Sequence, residues 1–178
     1  MKTTITEALA EIATIDKRLV KKPAEMLPYV ARAEQLKDPF AKTGGSEKYL
    51  AEQRQSFGDL LVRKINLRAS IARANSETMI IIGSEEMSVA DWLVWKRECY
   101  DKQVDMLHGL LTTVQRARQN AQQTGASLVR VAEPTKPTDV LVCLDEQQLI
   151  EEINSVEEMY GRLDGLLSLK NATTTIEV

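Results

Sequence analysis

Ser88-Val89-Ala90-Asp91-Trp92-Leu93-Val94-Trp95, with the run that continues from it to His108 without a glycine or proline, decides the fold. Its apolar positions recur every three or four residues instead of alternating, which is the period of a helix. Ser88 followed three residues later by Asp91 resembles a capping box with the shorter acid in place of Glu. The next strong stop is Gly125, the residue type favoured just beyond a helix C-terminus. The spacing therefore predicts a helix from Val89 to about Thr124, on the order of 50 Å long. A helix of that length needs others to cover its apolar side.

Those others are legible on both flanks. Ile5, Leu9, Ile12, Ile15 and Leu19 form one stripe of a first helix that begins near Thr3 or Thr4, and Lys17, Arg18, Lys21 and Lys22 gather toward its C-terminus, where the helix dipole favours cations. Pro23 and Pro28 interrupt or restart that pattern and Asp38-Pro39 closes it, so residues 23 to 41 read as a short helix or an irregular connection. Lys42-Thr43-Gly44-Gly45-Ser46 reads as a loop, with Ser46 as N-cap of a helix running from about Glu47 to Asn75. Its expected buried stripe is Leu50, Phe57, Leu61, Ile65 and Ile71 or Ala72. Thr78 to Ile82 turns β-branched before Gly83-Ser84-Glu85-Glu86, which predicts a small hairpin or an extended loop. Beyond Gly125, Leu128-Val129-Arg130-Val131 and Val140-Leu141-Val142 read as short extended segments around the loop Glu133-Pro134-Thr135-Lys136-Pro137. Asp145 with Gln148 signals a last helix that reaches about Lys170, with Leu149, Ile153, Val156, Tyr160, Leu163 and Leu167 inside and Asn171 as its C-cap.

Composition agrees with helix-on-helix packing. The chain has 178 residues, 43% of them hydrophobic but only 4% aromatic, so a core must come mainly from Leu, Ile, Val, Ala and Met. The expectation is a mainly α fold: an elongated antiparallel bundle of about four main helices with short β segments or hairpins at the junctions. It is read as a single helical domain over 1–178, with loops at 38–46 and 125–144.

Charge excludes some functions and suggests others. A formal net charge of −3 is too small for wholesale attraction to a nucleic-acid polymer, but the charges are polarised. Arg63, Lys64, Arg68 and Arg73 follow one another without an acid, whereas Asp139 to Glu158 carries acids alone. A basic and an acidic helix then either face one another, within or between subunits, or are two solvated faces. Cys99 and Cys143 are far apart and lack metal-knuckle spacing, so neither a disulfide framework nor a zinc site is indicated. His108 is the sole histidine, which leaves Ser-His-Asp, Cys-His and multi-histidine metal chemistry without a second imidazole. Glu151, Glu152, Glu157 and Glu158 lack the Glu-x-x-His units of a bundle di-metal site and read as a solvated face. No catalytic residues, metal or cofactor are expected. The first residues lack an apolar signal core and no apolar run is long enough to span a bilayer, so the expected location is cytoplasmic, in the host cytoplasm if the gene is viral.

Two constellations point to ligand binding. Trp92 and Trp95 lie three residues apart and are followed by Lys96 and Arg97; aromatic faces stack on a base while the cations meet phosphate. Packing in a core or between subunits is the competing role for the two tryptophans. Gly44-Gly45-Ser46 before a helix, with Lys42 or Lys48 beside it, either offers backbone N–H groups to an anion or is an ordinary flexible loop; it is not a P-loop.

The order of motifs resembles the septicolysin-like family of small, mainly helical bacterial and viral proteins whose biochemical role is largely unassigned. The resemblance runs through Glu7-Ala8-Leu9-Ala10-Glu11, Lys17-Arg18-Leu19, Ile71-Ala72-Arg73-Ala74-Asn75 with Thr78, Gly83, Ser88-Val89-Ala90-Asp91, Leu163-Asp164 and Asn171. This chain lacks the aromatic residue expected directly after that Asn and adds the tail Ala172-Thr173-Thr174-Thr175-Ile176-Glu177-Val178. The resemblance implies oligomers of long helices. Its lysin-type name implies membrane attack, but no strongly basic amphipathic helix of the interfacial kind is present. The expectation is a non-enzymatic homo-oligomer that captures a phosphorylated small molecule, such as a nucleotide immune signal, with Arg63, Arg68 and Arg73 on phosphate and Trp92 or Trp95 on the base. The alternative is a helical protein-interaction scaffold without a small-molecule ligand.

Overall fold

The computed structural model describes residues 2–130 and 139–177. Strand β1 (Lys2–Thr4) leads into α1 (Ile5–Met26), and α2 spans Gly45–Glu77. The hairpin strands β2 (Met79–Ile82) and β3 (Glu85–Ser88) follow. Next come α3 (Val89–Val94), a wide π turn over Trp95–Cys99, and α4 (Tyr100–Thr124). Strands β4 (Leu128–Arg130) and β5 (Val140–Val142), helix α5 (Glu146–Thr173) and strand β6 (Thr175–Glu177) complete the order. The fold is mainly helical with short β segments, as the periodicity predicts. The loop Glu133-Pro134-Thr135-Lys136-Pro137 lies outside the described residues.

The chain divides into two compact units, one built from residues 1–77 and 168–178, the other from 78–167. In the first, α1 packs on α2 around Ile5, Ala8, Ile12, Ile15, Leu67 and Ile71, closed by Ile176. Thr4 caps α1 through a full capping box: the Glu7 N–H donates to the Thr4 hydroxyl at 3.2 Å and the Thr4 N–H donates to the Glu7 carboxylate at 2.8 Å. Those bonds hold the Glu7 carboxyl below its usual range. Contrary to the expected break, α1 runs through Pro23 to Met26: the proline lacks an N–H and crowds the preceding turn, but the turn that follows closes, with the Leu27 N–H reaching the Pro23 carbonyl. The connection that follows is pinned by rings: Phe40 stacks on Tyr49 at 4.1 Å and Tyr29 meets both edge-on.

Helix α2 departs from the expected register. Its buried residues are Leu67 and Ile71, whereas Leu61 and Ile65, expected inside, stand 40% and 65% exposed. Its basic residues also choose a different partner from the one the charge runs suggest. Arg63 forks onto Glu11 of α1 at 2.7 and 3.0 Å, holding that carboxyl below its usual range, and Lys64 meets Asp16 of α1 at 2.5 Å.

In the tail, α5 continues past Asn171, which is therefore inside the helix and not its cap; Thr174 ends it and residues Thr175–Glu177 pair antiparallel with β1. The β-branched Thr175-Ile176 supplies what the extended edge of Lys2–Thr4 needs.

In the second unit, β2 and β3 form an antiparallel hairpin whose two-residue turn places Gly83 at φ +62°, a conformation glycine adopts without penalty. The turn is tighter than the sequence suggests, since Glu85 and Glu86 belong to β3. Ser88 caps α3 by accepting from the Asp91 N–H at 3.1 Å, and its hydroxyl donates to the Asp91 carboxylate at 2.6 Å. α4 ends on Gly125 at φ +70°, with the Ala126 N–H returning to the Ala121 carbonyl. β4 and β5 pair in parallel. Asp145 caps α5 through the Gln147 and Gln148 N–H groups, but the Gln148 side chain turns to Glu152 instead of closing a box. Two clusters fill this unit, one around Trp92, Ile80 and Leu163, the other around Leu107, Val114, Ile153 and Val156.

Candidate functional site

Trp92 is core. It is 0% exposed, packs among Ile80, Ile82, Val89, Leu163 and Leu167, and donates its indole N–H to the Ile80 carbonyl at 3.0 Å. No face of that ring is left for a base, so the expected role as a stacking platform is corrected to packing.

Trp95 is the start of something different. It is half-buried, touches both clusters of its unit, and sends its indole N–H toward the Gln103 side chain. In an α-helix, residues five apart point about 140° apart around the axis. The π turn, in which the Tyr100 N–H returns to the Trp95 carbonyl, widens the helix there and brings the Trp95 and Tyr100 rings within 5.7 Å. Such turns recur at functional sites. The array continues outward: Trp92 and Trp95 meet edge-on at 5.5 Å, and Tyr100 stacks on Tyr160 of α5 at 4.1 Å. Lys96 sits over the Tyr160 ring, 5.0 Å from its centre, and is hydrogen-bonded and ion-paired to Asp164, which holds its ammonium pKa above the usual range. Arg97, also on the π turn, is exposed and ion-paired with its neighbour Glu98.

The surroundings of this array are acidic. Burial pushes the Tyr100 phenol up, and the fields of Glu157, Tyr160 and Asp101 add to the shift. Both cations of the π turn are already paired, Lys96 with Asp164 and Arg97 with Glu98. Tyr100, Tyr160 and Asp164 were not singled out as site residues from sequence. The available signal was the Trp95-to-Tyr100 interval of five, which no regular α-helical stripe accounts for.

The remaining expected residues lie in the other unit. Arg63 is committed to Glu11, while Arg68 and Arg73 are exposed on α2 with no ion pair among the described residues. The glycine loop is also corrected. Ala41–Thr43 forms a 3-10 turn carrying the exposed Lys42, Gly44 and Gly45 take φ +105° and +87°, and α2 starts at Gly45. Ser46 is not the cap. Its N–H donates to the Asp38 carboxylate at 2.9 Å and its hydroxyl donates to it at 2.8 Å, while the Phe40 N–H donates at 2.8 Å. These bonds hold the Asp38 carboxyl below its usual range, and the anion seat at the helix start is filled by the chain itself.

A cleft of about 420 Å³ between α4, the β4–β5 pair and the start of α5 offers little to a charged guest, because its Arg118 is already paired with Glu146. His108 is exposed on α4, and both cysteines are exposed thiols. Among the described residues no group of three or more His, Cys, Asp or Glu is placed to hold a metal, and no helix is long and apolar enough to cross a membrane.

No family model matches the chain, and no curated protein matches it. Among solved structures it is similar to a functionally unknown conserved protein from Corynebacterium diphtheriae, at 18% identity and a TM-score of 0.55. The match covers 99% of this chain and 100% of that one, so at this level of identity the two share a fold over their full described lengths.

Proposed function

We propose that the chain is a non-catalytic binding protein that captures a small planar ligand carrying phosphate, such as a nucleotide, at a junction between copies. The observation that carries this reading is the half-buried aromatic array at the π turn, Trp95 to Tyr100 to Tyr160. Stacking suits any base, because every base has a π-face. The acids around the array make a phosphate unwelcome unless further cations arrive, and Arg68 and Arg73 of a second copy are exposed cations with no ion-pair partner among the described residues. The septicolysin-like resemblance, with its implied oligomers of long helices, belongs to the same proposal.

The test is calorimetry and mass spectrometry of the purified protein with mono-, di- and cyclic nucleotides. One of them binds and is recovered intact after denaturation. Trp95→Ala weakens that binding by about 1–3 kcal/mol, while Trp95→Phe, which keeps a ring on the π turn, retains most of it. If no nucleotide binds across the panel, the alternative of a helical interaction scaffold stands in its place. That second reading is favoured by one observation of its own, the uncovered outer face of α2.

A further inference from the structure

The outer face of α2 is built like a second buried face. Opposite Leu67 and Ile71, the positions Ala51, Gly58, Leu61, Val62, Ile65, Ala69 and Ala72 recur at helical spacing. Val62 is 58% exposed and Ile65 is 65% exposed, and nothing in their own unit covers them. A surface helix normally carries polar residues there. Arg68 and Arg73 flank this stripe on its two edges, both exposed, and neither has an ion-pair partner among the described residues.

Charge identifies what fits. The unit that contains α2 carries 15 Lys and Arg against 11 Asp and Glu, a formal +4; the other unit carries 8 against 15, a formal −7. In that second unit the acids gather about the stacked Tyr100–Tyr160 pair, where Asp101 and Glu157 are exposed and Asp164 already holds one cation over a ring. The rings are covered by one another and by Lys96, so the exposed carboxylates at their border are what suits a guanidinium, whose fork of N–H groups meets acids.

We propose that the outer stripe of α2 docks on the acidic aromatic flank of α4 and α5 in a second copy of this chain, with Arg68 and Arg73 entering the surround of the Tyr100–Tyr160 pair. The two surfaces differ, so the contact is heterologous and the assembly closes as a ring or extends as a filament. The interface names the junction on which the ligand reading rests, but it forms without ligand.

The test is charge reversal with exchange, read as mass in solution over a concentration series with no nucleotide added. The wild-type chain forms particles of more than one copy. Arg68→Glu with Arg73→Glu, and separately Asp101→Lys with Glu157→Lys, each lowers association at least tenfold while leaving the helical circular dichroism unchanged. An equimolar mixture of the two double variants restores association, because each then offers the charge the other lacks. Ile65→Glu abolishes it without the exchange partner. A wild-type monomer at high micromolar concentration, reversed variants that assemble like wild type, or a mixture that stays monomeric would overturn the proposal. Assembly without any nucleotide binding sinks the ligand reading and leaves this one standing; nucleotide binding by a monomer overturns the interface and with it the junction, leaving only capture by a single copy.

Discussion

Helices α1 and α2 share one core, yet they are different kinds of helix. α1 concentrates its buried residues on one face, Ile5, Ala8, Ile12 and Ile15, and its acids Glu11 and Asp16 reach across to α2. α2 has apolar residues on two opposite faces, of which only the Leu67–Ile71 face is used inside its unit. A one-faced helix announces its register, because only one rotation buries the stripe. A two-faced helix does not, and the unused face is information about what else it meets.

The comparison breaks first at two neighbouring positions. Leu67→Ala removes a fully buried side chain and is expected to cost about 2–5 kcal/mol in denaturant unfolding. Ile65→Ala, two residues earlier on the same helix, should change the stability of the dilute protein by no more than about 0.5 kcal/mol. Equal costs at the two positions would mean that the outer face is already covered within one chain. A smaller effect separates the helix starts: Thr4→Ala removes the capping box of α1 and should cost about 1 kcal/mol, with amide exchange accelerating first in the opening turn of α1.

The smallest effect is acid titration. The carboxyls of Glu7 and Asp38 are both depressed in the folded chain, by N–H and hydroxyl donors at the starts of α1 and α2. Their contribution to stability is therefore complete above the ordinary carboxylate range and is lost as pH falls through their lowered folded values, where the unfolded chain binds more protons. Asp38→Asn should flatten that acid limb at the start of α2 while leaving it intact at α1. Indistinguishable acid limbs in the variant and the wild type would show that Asp38 does not hold the α2 start as a charged group.

How much of this was legible follows from the same contrast. The helix that runs from Val89 to Thr124, the stripe of α1, the Ser88 and Asp145 caps and the Gly125 stop are local signals, and sequence carries them directly. The buried side of α2 is not legible in the sequence, because Leu61 and Ile65 are as apolar as Leu67 and the α1 partner decides between them. Ser46 has the sequence position of a cap, but Asp38, eight residues away, takes that role by folding back onto the helix start. Trp92 and Trp95 are chemically alike in sequence. One is sealed by Ile80 and Leu163, while the other lies on a π turn that no periodicity reveals, so the aromatic array became visible only when Tyr160 was brought across from α5.

The pairing of β1 with β6 also has a consequence in time. Ile5, Ala8, Leu67 and Ile71 belong to a core whose lid, Ile176, comes from the far end of the chain, and the Ser70 hydroxyl donates to the Glu177 carbonyl nearby. During synthesis, every residue of the 78–167 unit emerges before the strand that finishes the other. The middle of the chain can therefore mature first, while α1 and α2 wait with an open apolar seam, and this is the interval in which a nascent chain most needs a chaperone.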